Sequence, residues 1–75
     1  MNPRIDLDSR IYHGKPVIRG TRVPVSRILG GLAGGMTREE LMREYEVASE
    51  DIDATLDYAA DLVDHEQVFA LAKGF

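Results

Sequence analysis

Four of the chain's nine basic residues, Lys15, Arg19, Arg22 and Arg27, lie between Gly14 and Arg27, and Arg10 stands just ahead of them. Guanidinium and ammonium groups at this density hold anions, either phosphate or carboxylate. Arg19 and Arg22 bracket Gly20-Thr21. A two-residue type II′ turn with glycine at its first central position suits that pair and sets the two arginines opposite each other. Like charges so placed destabilise a ribbon unless an anion sits between them. Two readings stand. The anion is a nucleic-acid phosphate, since β-ribbons read DNA in some repressors. Or it is a carboxylate of the protein itself: Asp6, Asp8 or the acidic second half, from the same or a second subunit.

The acidic residues gather elsewhere. From Ser49 to Asp64 there is no Arg or Lys, while Glu50, Asp53, Asp57, Asp61 and Asp64 recur at helical spacing. At ~100° per residue they form one stripe beside an apolar one. Such a stripe is either a solvated face or a docking strip for a basic surface. Asp53, Asp57, Asp61 and Asp64, with the apolar Val68, Phe69 and Leu71 behind them, are the candidate partner-binding residues. This helix is also a poor reader of DNA, because phosphate contacts depend on positive charge.

Catalysis finds no constellation. His13 and His65 lie far apart in sequence; Asp61 and His65 share a helical face, but two ligands do not make a metal site. No nucleophile elbow, phosphate loop or zinc spacing occurs. The expectation is a protein that is not an enzyme, with no metal and no cofactor.

Seventy-five residues without cysteine make one small domain that buries only ~60–65% of its unfolded surface. Neither disulfides nor thiolates supplement that core. The formal net charge of −4 conceals a division: residues 1–38 carry seven Arg/Lys against two aspartates, +5, whereas residues 39–75 carry two against eleven carboxylates, −9. No apolar run reaches the ~20 residues of a membrane span, and Met1–Leu7 lacks a signal-peptide core. A soluble, cytoplasmic protein is expected.

The elements that must position these groups are mostly helical. An N-terminal arm and β-element, 1–25, has β-leaning Val17-Ile18 and Val23-Pro24-Val25; Pro16 and Pro24 restrict them to edge strands. Ile11-Tyr12 is a further short strand candidate. A three-helix core, 26–66, follows. Val25, Ile28, Leu29, Leu32 and Ala33 make the first stripe, interrupted by Gly30-Gly31 and stopped by Gly34-Gly35. Thr37 and Glu40 stand at capping-box spacing with Met36 and Leu41 as a staple, predicting a helix over 38–45. Ser49 is expected to cap a third helix whose core stripe is Ile52, Leu56, Ala59, Ala60 and Val63. Residues 67–75 form an apolar tail that either closes the core or orders on a partner. The fold class is mainly α, a helix-turn-helix or homeodomain-like trio with a short N-terminal hairpin or ribbon.

Gly14-Lys15-Pro16-Val17-Ile18-Arg19-Gly20-Thr21-Arg22-Val23-Pro24-Val25 resembles the signature of the bacterial domain-of-unknown-function family four-three-three. Gly35-Met36-Thr37, Glu39-Glu40, Tyr45, Ser49-Glu50-Asp51-Ile52 and Ala54 through Ala59 continue the match, over about residues 5 to 65. The resemblance implies a small dimeric domain regarded as a VapB-like antitoxin. Such a protein would neutralise a PIN-like ribonuclease toxin and, with it, repress their operon. A stand-alone DNA-binding regulator and a dimeric structural adaptor are the alternatives. Gly30-Gly31 departs from the family's ordinary helix formers, and Glu46 stands where a proline is common.

Overall fold

The computed structural model describes the backbone of residues 2–7 and 14–72 and the side chains of 2–7 and 14–65. Five elements follow in order: β1 (Ile5–Asp6), β2 (Val17–Ile18), α1 (Val25–Ala33), α2 (Arg38–Tyr45) and α3 (Ser49–Ala72). The chain is mainly helical, three helices under a two-stranded antiparallel sheet, as the periodicity predicts.

The sheet pairs differently from the expected hairpin. β2 lies against β1, with Ile5 opposite Ile18 and Asp6 opposite Val17. Val23-Pro24-Val25 contributes only an isolated bridge, Val17 to Pro24. The flanking bonds run from Ile18 N to Val23 O and from Val25 N to Pro16 O. Val17 and Pro24 thus form a non-hydrogen-bonded pair, the one place in a ladder where the missing proline N–H is not needed. Ile11-Tyr12 lies outside the described residues.

α1 ends in a Schellman motif. Met36 N–H donates to Gly31 O and Gly35 N–H to Leu32 O, with Gly35 left-handed at φ +96°, which satisfies two orphan carbonyls. The two glycines inside α1 have different reasons. A Cβ on Gly31 would meet Leu41 Cδ2 at 2.7 Å and Met36 Sδ at 3.0 Å, so glycine here lets α2 sit close. A Cβ on Gly30 would meet nothing within 4 Å.

α2 has the predicted limits. Thr37 Oγ1 accepts from Glu40 N–H at 3.1 Å and Glu40 Oε1 accepts from Thr37 N–H at 2.9 Å, a complete capping box. The Thr37 backbone N–H first, and the Thr37 hydroxyl second, hold the Glu40 carboxyl below its ordinary value of 4.5. At the other end Glu46 is left-handed at φ +54°. A proline ring is locked near −65°, so a proline has no place here and the left-handed residue alone makes the turn.

α3 begins one residue earlier than expected. Ala48 precedes the first helical turn, and its N–H donates to Asp51 Oδ2 at 2.9 Å. Ser49 is therefore inside the helix and does not cap it; Asp51 supplies the reach-back half of a capping box. The buried face is also rotated, by roughly 100° about the axis. Ile52, Ala54 and Thr55 are buried and Tyr58 and Ala59 half-buried, whereas Leu56, Ala60 and Val63 of the expected stripe are exposed. Thr55 tolerates full burial because its hydroxyl donates to Asp51 O at 2.9 Å. The core gathers Ile5, Ile18, Val25, Ile28, Leu41, Val47 and Ile52.

Two outcomes follow. Gly30→Ala raises stability by about 0.5–1 kcal/mol through helix propensity. Gly31→Ala lowers it by about 1 kcal/mol net, because overpacking against the buried Leu41 outweighs the same gain; urea denaturation of both variants reads the opposite signs. Because its folded pKa is depressed, the Glu40 contribution is full above the ordinary carboxylate pKa and is lost as pH falls through the lowered value. The stability gap between wild type and Glu40→Ala therefore narrows on acidification below that range, as pH-dependent denaturation would show.

Candidate functional site

The basic stretch is a tight turn. Thr21 N–H donates to Ile18 O at 3.1 Å, which places Arg19 and Gly20 at the two central positions with Gly20 second, at φ +79°. Glycine with positive φ at the second central position is the type II pattern, not the expected type II′. Thr21 completes the turn: its hydroxyl donates to Ile18 O at 2.7 Å and accepts from Val23 N–H at 3.0 Å. The Gly-Thr pair is thus one device, glycine for the dihedral and threonine for the backbone groups a two-residue hairpin would have satisfied.

Arg19 does not face Arg22 across an anion. Its Nε and Nη2 donate to the single Oδ1 of Asp6 on the paired strand, at 2.9 and 2.8 Å. The anion beside Arg19 in this structure is thus a carboxylate of the same chain. The pair is well exposed, so it contributes only ~0.2–1 kcal/mol. Lys15, Arg22 and Arg27 are exposed and have no salt-bridge partner among the described residues. Arg10 lies outside those residues.

Two arginines that sequence reasoning passed over anchor α3. Arg4 Nη1 donates to Asp51 Oδ1 at 2.9 Å. Arg38 Nη1 reaches Ser49 O and Oγ at 3.0 and 2.9 Å, and its Nη2 reaches Asp53 Oδ1 at 2.9 Å. Arg38 had one local signal. A cation in the first turn of a helix opposes the macrodipole, so its presence there implies a carboxylate or carbonyl close by.

The acidic stripe is real and exposed throughout, but its two ends differ. Asp53 is held by Arg38 and Asp57 accepts from Asn2 Nδ2 at 3.2 Å. Asp61 and Asp64 have no side-chain partner among the described residues. Asp61 instead lines an open depression of about 310 Å³ with Tyr58, Leu62 and His65. Val68, Phe69 and Leu71 belong to α3, which continues to Ala72 without a break at His65; their side chains lie outside the described ones. Among the described residues no three His, Cys, Asp or Glu side chains gather as metal ligands, and no helix is long and apolar enough to cross a membrane.

The signature turn, the strand pair, α1, α2 and the first half of α3 coincide with a known family model. Residues 5–59 match the one described as protein of unknown function, DUF433. The chain belongs to this family. Among solved structures the chain resembles Rv2018 from Mycobacterium tuberculosis, with 34% identity and a TM-score of 0.65. The match covers 71% of this chain and 25% of that protein, so the family domain corresponds to a quarter of its length. No curated protein matches the sequence.

Thr21→Val removes both hydroxyl bonds and leaves the half-buried Val23 N–H unpaired, a loss of about 1–2 kcal/mol. Thr21→Ser keeps both bonds and retains most of the stability; thermal unfolding of the two variants separates the hydrogen bonds from the methyl group.

Proposed function

We propose that this DUF433 member is a protein-binding module, the antitoxin of a toxin–antitoxin pair, acting in the cytoplasm on a PIN-like ribonuclease and having no catalytic role of its own. One observation carries the choice of a protein partner: the longest helix, α3, is acidic and free of Lys and Arg from Ser49 to Ala72. A nucleic acid would be repelled by that surface, whereas a basic protein would be drawn to it. The family resemblance supplies the toxin–antitoxin reading. The basic N-terminal half would then serve DNA or a homodimer contact. Co-expression with the product of the neighbouring gene tests it. The expected result is a complex that survives purification and a nuclease activity suppressed in proportion to occupancy. Free nuclease activity in the presence of excess of this protein would overturn the reading.

A second reading, DNA binding by the protein alone, is favoured by Lys15, Arg22 and Arg27, three exposed cations on and around the turn. It expects Arg22→Ala and Arg27→Ala each to weaken binding to operator DNA and to lower the salt slope by about one. Arg19→Ala would matter less, because Asp6 already engages that side chain. Fluorescence anisotropy over a salt series distinguishes these cases.

A further inference from the structure

We infer that the projecting part of α3, centred on residues 56–65, is a docking helix for a protein surface with an apolar trough and one basic wall. The inference rests on the protein-partner reading above and says where, and by what chemistry, that partner is held.

Burial thins out along α3. Among the described side chains Tyr58 and Ala59 are the last half-buried ones and every residue from Ala60 to His65 is exposed, while the helix backbone continues to Ala72. At 1.5 Å per residue the part beyond Ala59 reaches roughly 20 Å past the core. Within it Leu62 and Val63 are 50% and 53% exposed, with Leu56 at 43% one to two turns earlier. At ~100° per residue, Leu62, Ala59, Val63, Leu56 and Ala60 fill one continuous sector of a little under half the circumference. Asp53, Asp57, Asp61 and Asp64 occupy a narrower sector along one edge of it. This is the form of a helix that lays its apolar face into a groove.

The charges specify the groove. Asp53, Asp57 and Asp61 succeed one another at i, i+4, and like charges at that spacing destabilise a helix. Arg38 answers Asp53, at the end that the core supports. For Asp61 and Asp64 no described side chain does so, so an external cation along that edge relieves repulsion already present. A second α3 fits poorly. In an antiparallel face-to-face pair the acidic edges meet; in a parallel pair each acidic edge meets the Tyr58–His65 edge, which brings no Lys or Arg. The family match stops at residue 59, so Leu62, Val63, Asp61 and Asp64 of the docking helix lie beyond the matched part, whereas Leu56 and Asp57 lie within it.

Calorimetric titration against the purified product of the neighbouring gene tests this. Leu62→Asp with Val63→Asp should weaken binding at least about 100-fold, as expected for central apolar anchors. Asp61→Lys with Asp64→Lys should weaken it about tenfold or more and flatten its salt dependence. The substituted side chains are exposed, Leu62 and Val63 by about half, so both double variants should remain folded, and their unfolding midpoints, measured beside the titration, separate lost binding from lost folding. Wild-type affinity in both variants would overturn the docking helix and leave the antitoxin reading intact. No complex with the wild-type protein would overturn both. A wild-type homodimer that Leu62→Asp with Val63→Asp splits into monomers, without loss of partner affinity, would assign the face to a second copy and overturn the inference.

Discussion

The structure depends on one constraint, that each of five short elements must deliver one large aliphatic side chain to a common centre. Ile5 of β1, Ile18 of β2, Ile28 of α1, Leu41 of α2 and Ile52 of α3 are all fully buried. Two strands of two residues each cannot form an independent sheet, and α1 and α2 are shorter than a helix stable alone in water. None of these elements persists without the others. The capping box, the Schellman turn and the Thr21 hydroxyl bonds are what bring each aliphatic residue to the centre at the required angle. Gly31 belongs to the same requirement, since it allows Leu41 to approach α1.

Charge is layered over this core in two roles. Arg4 and Arg38 hold the N-terminal end of α3 through Asp51, Ser49 and Asp53, and Arg19 ties the turn to β1 through Asp6. All three pairs are partly exposed, so each is worth little alone. Their shared effect is orientation: they fix the direction in which α3 leaves the core. The basic first half and acidic second half therefore meet within one chain at the start of α3, and the excess of negative charge is left along the rest of that helix.

Local chemistry was legible in the sequence and tertiary placement was not. Thr37, Glu40, Met36 and Leu41 set the limits of α2 because a capping box and its staple need only neighbouring residues. The family signature was equally local. The face of α3 was misread because the helix has two apolar sides: Leu56, Ala60 and Val63 on one, Ala54, Thr55 and Tyr58 on the other. Thr55 looks polar until its hydroxyl is seen bonded within the helix, and size alone favours the wrong side. The turn was misread because Gly20 suits either central position of a tight turn, and only the strand partner decides between them. That partner, Ile5-Asp6, lies more than ten residues away across a segment with no periodicity. The Arg4 and Arg38 contacts span 47 and 15 residues to Asp51 and Asp53, beyond any pattern a single sequence displays.

The misread face carries the functional argument. Had Leu56, Ala60 and Val63 been the core stripe, α3 would have had only its acidic side left to present, and a solvated face would explain it. With Ile52, Ala54, Thr55 and Tyr58 turned inward, the aspartates of the stripe and Leu56, Leu62 and Val63 face outward. Leaving Leu62 and Val63 about half in water forgoes roughly 1 kcal/mol each relative to full burial, in a domain whose size already limits its core. α3 thus aligns half-exposed aliphatic side chains beside Asp61 and Asp64, carboxylates that no described side chain answers, and the proposed docking helix rests on that arrangement.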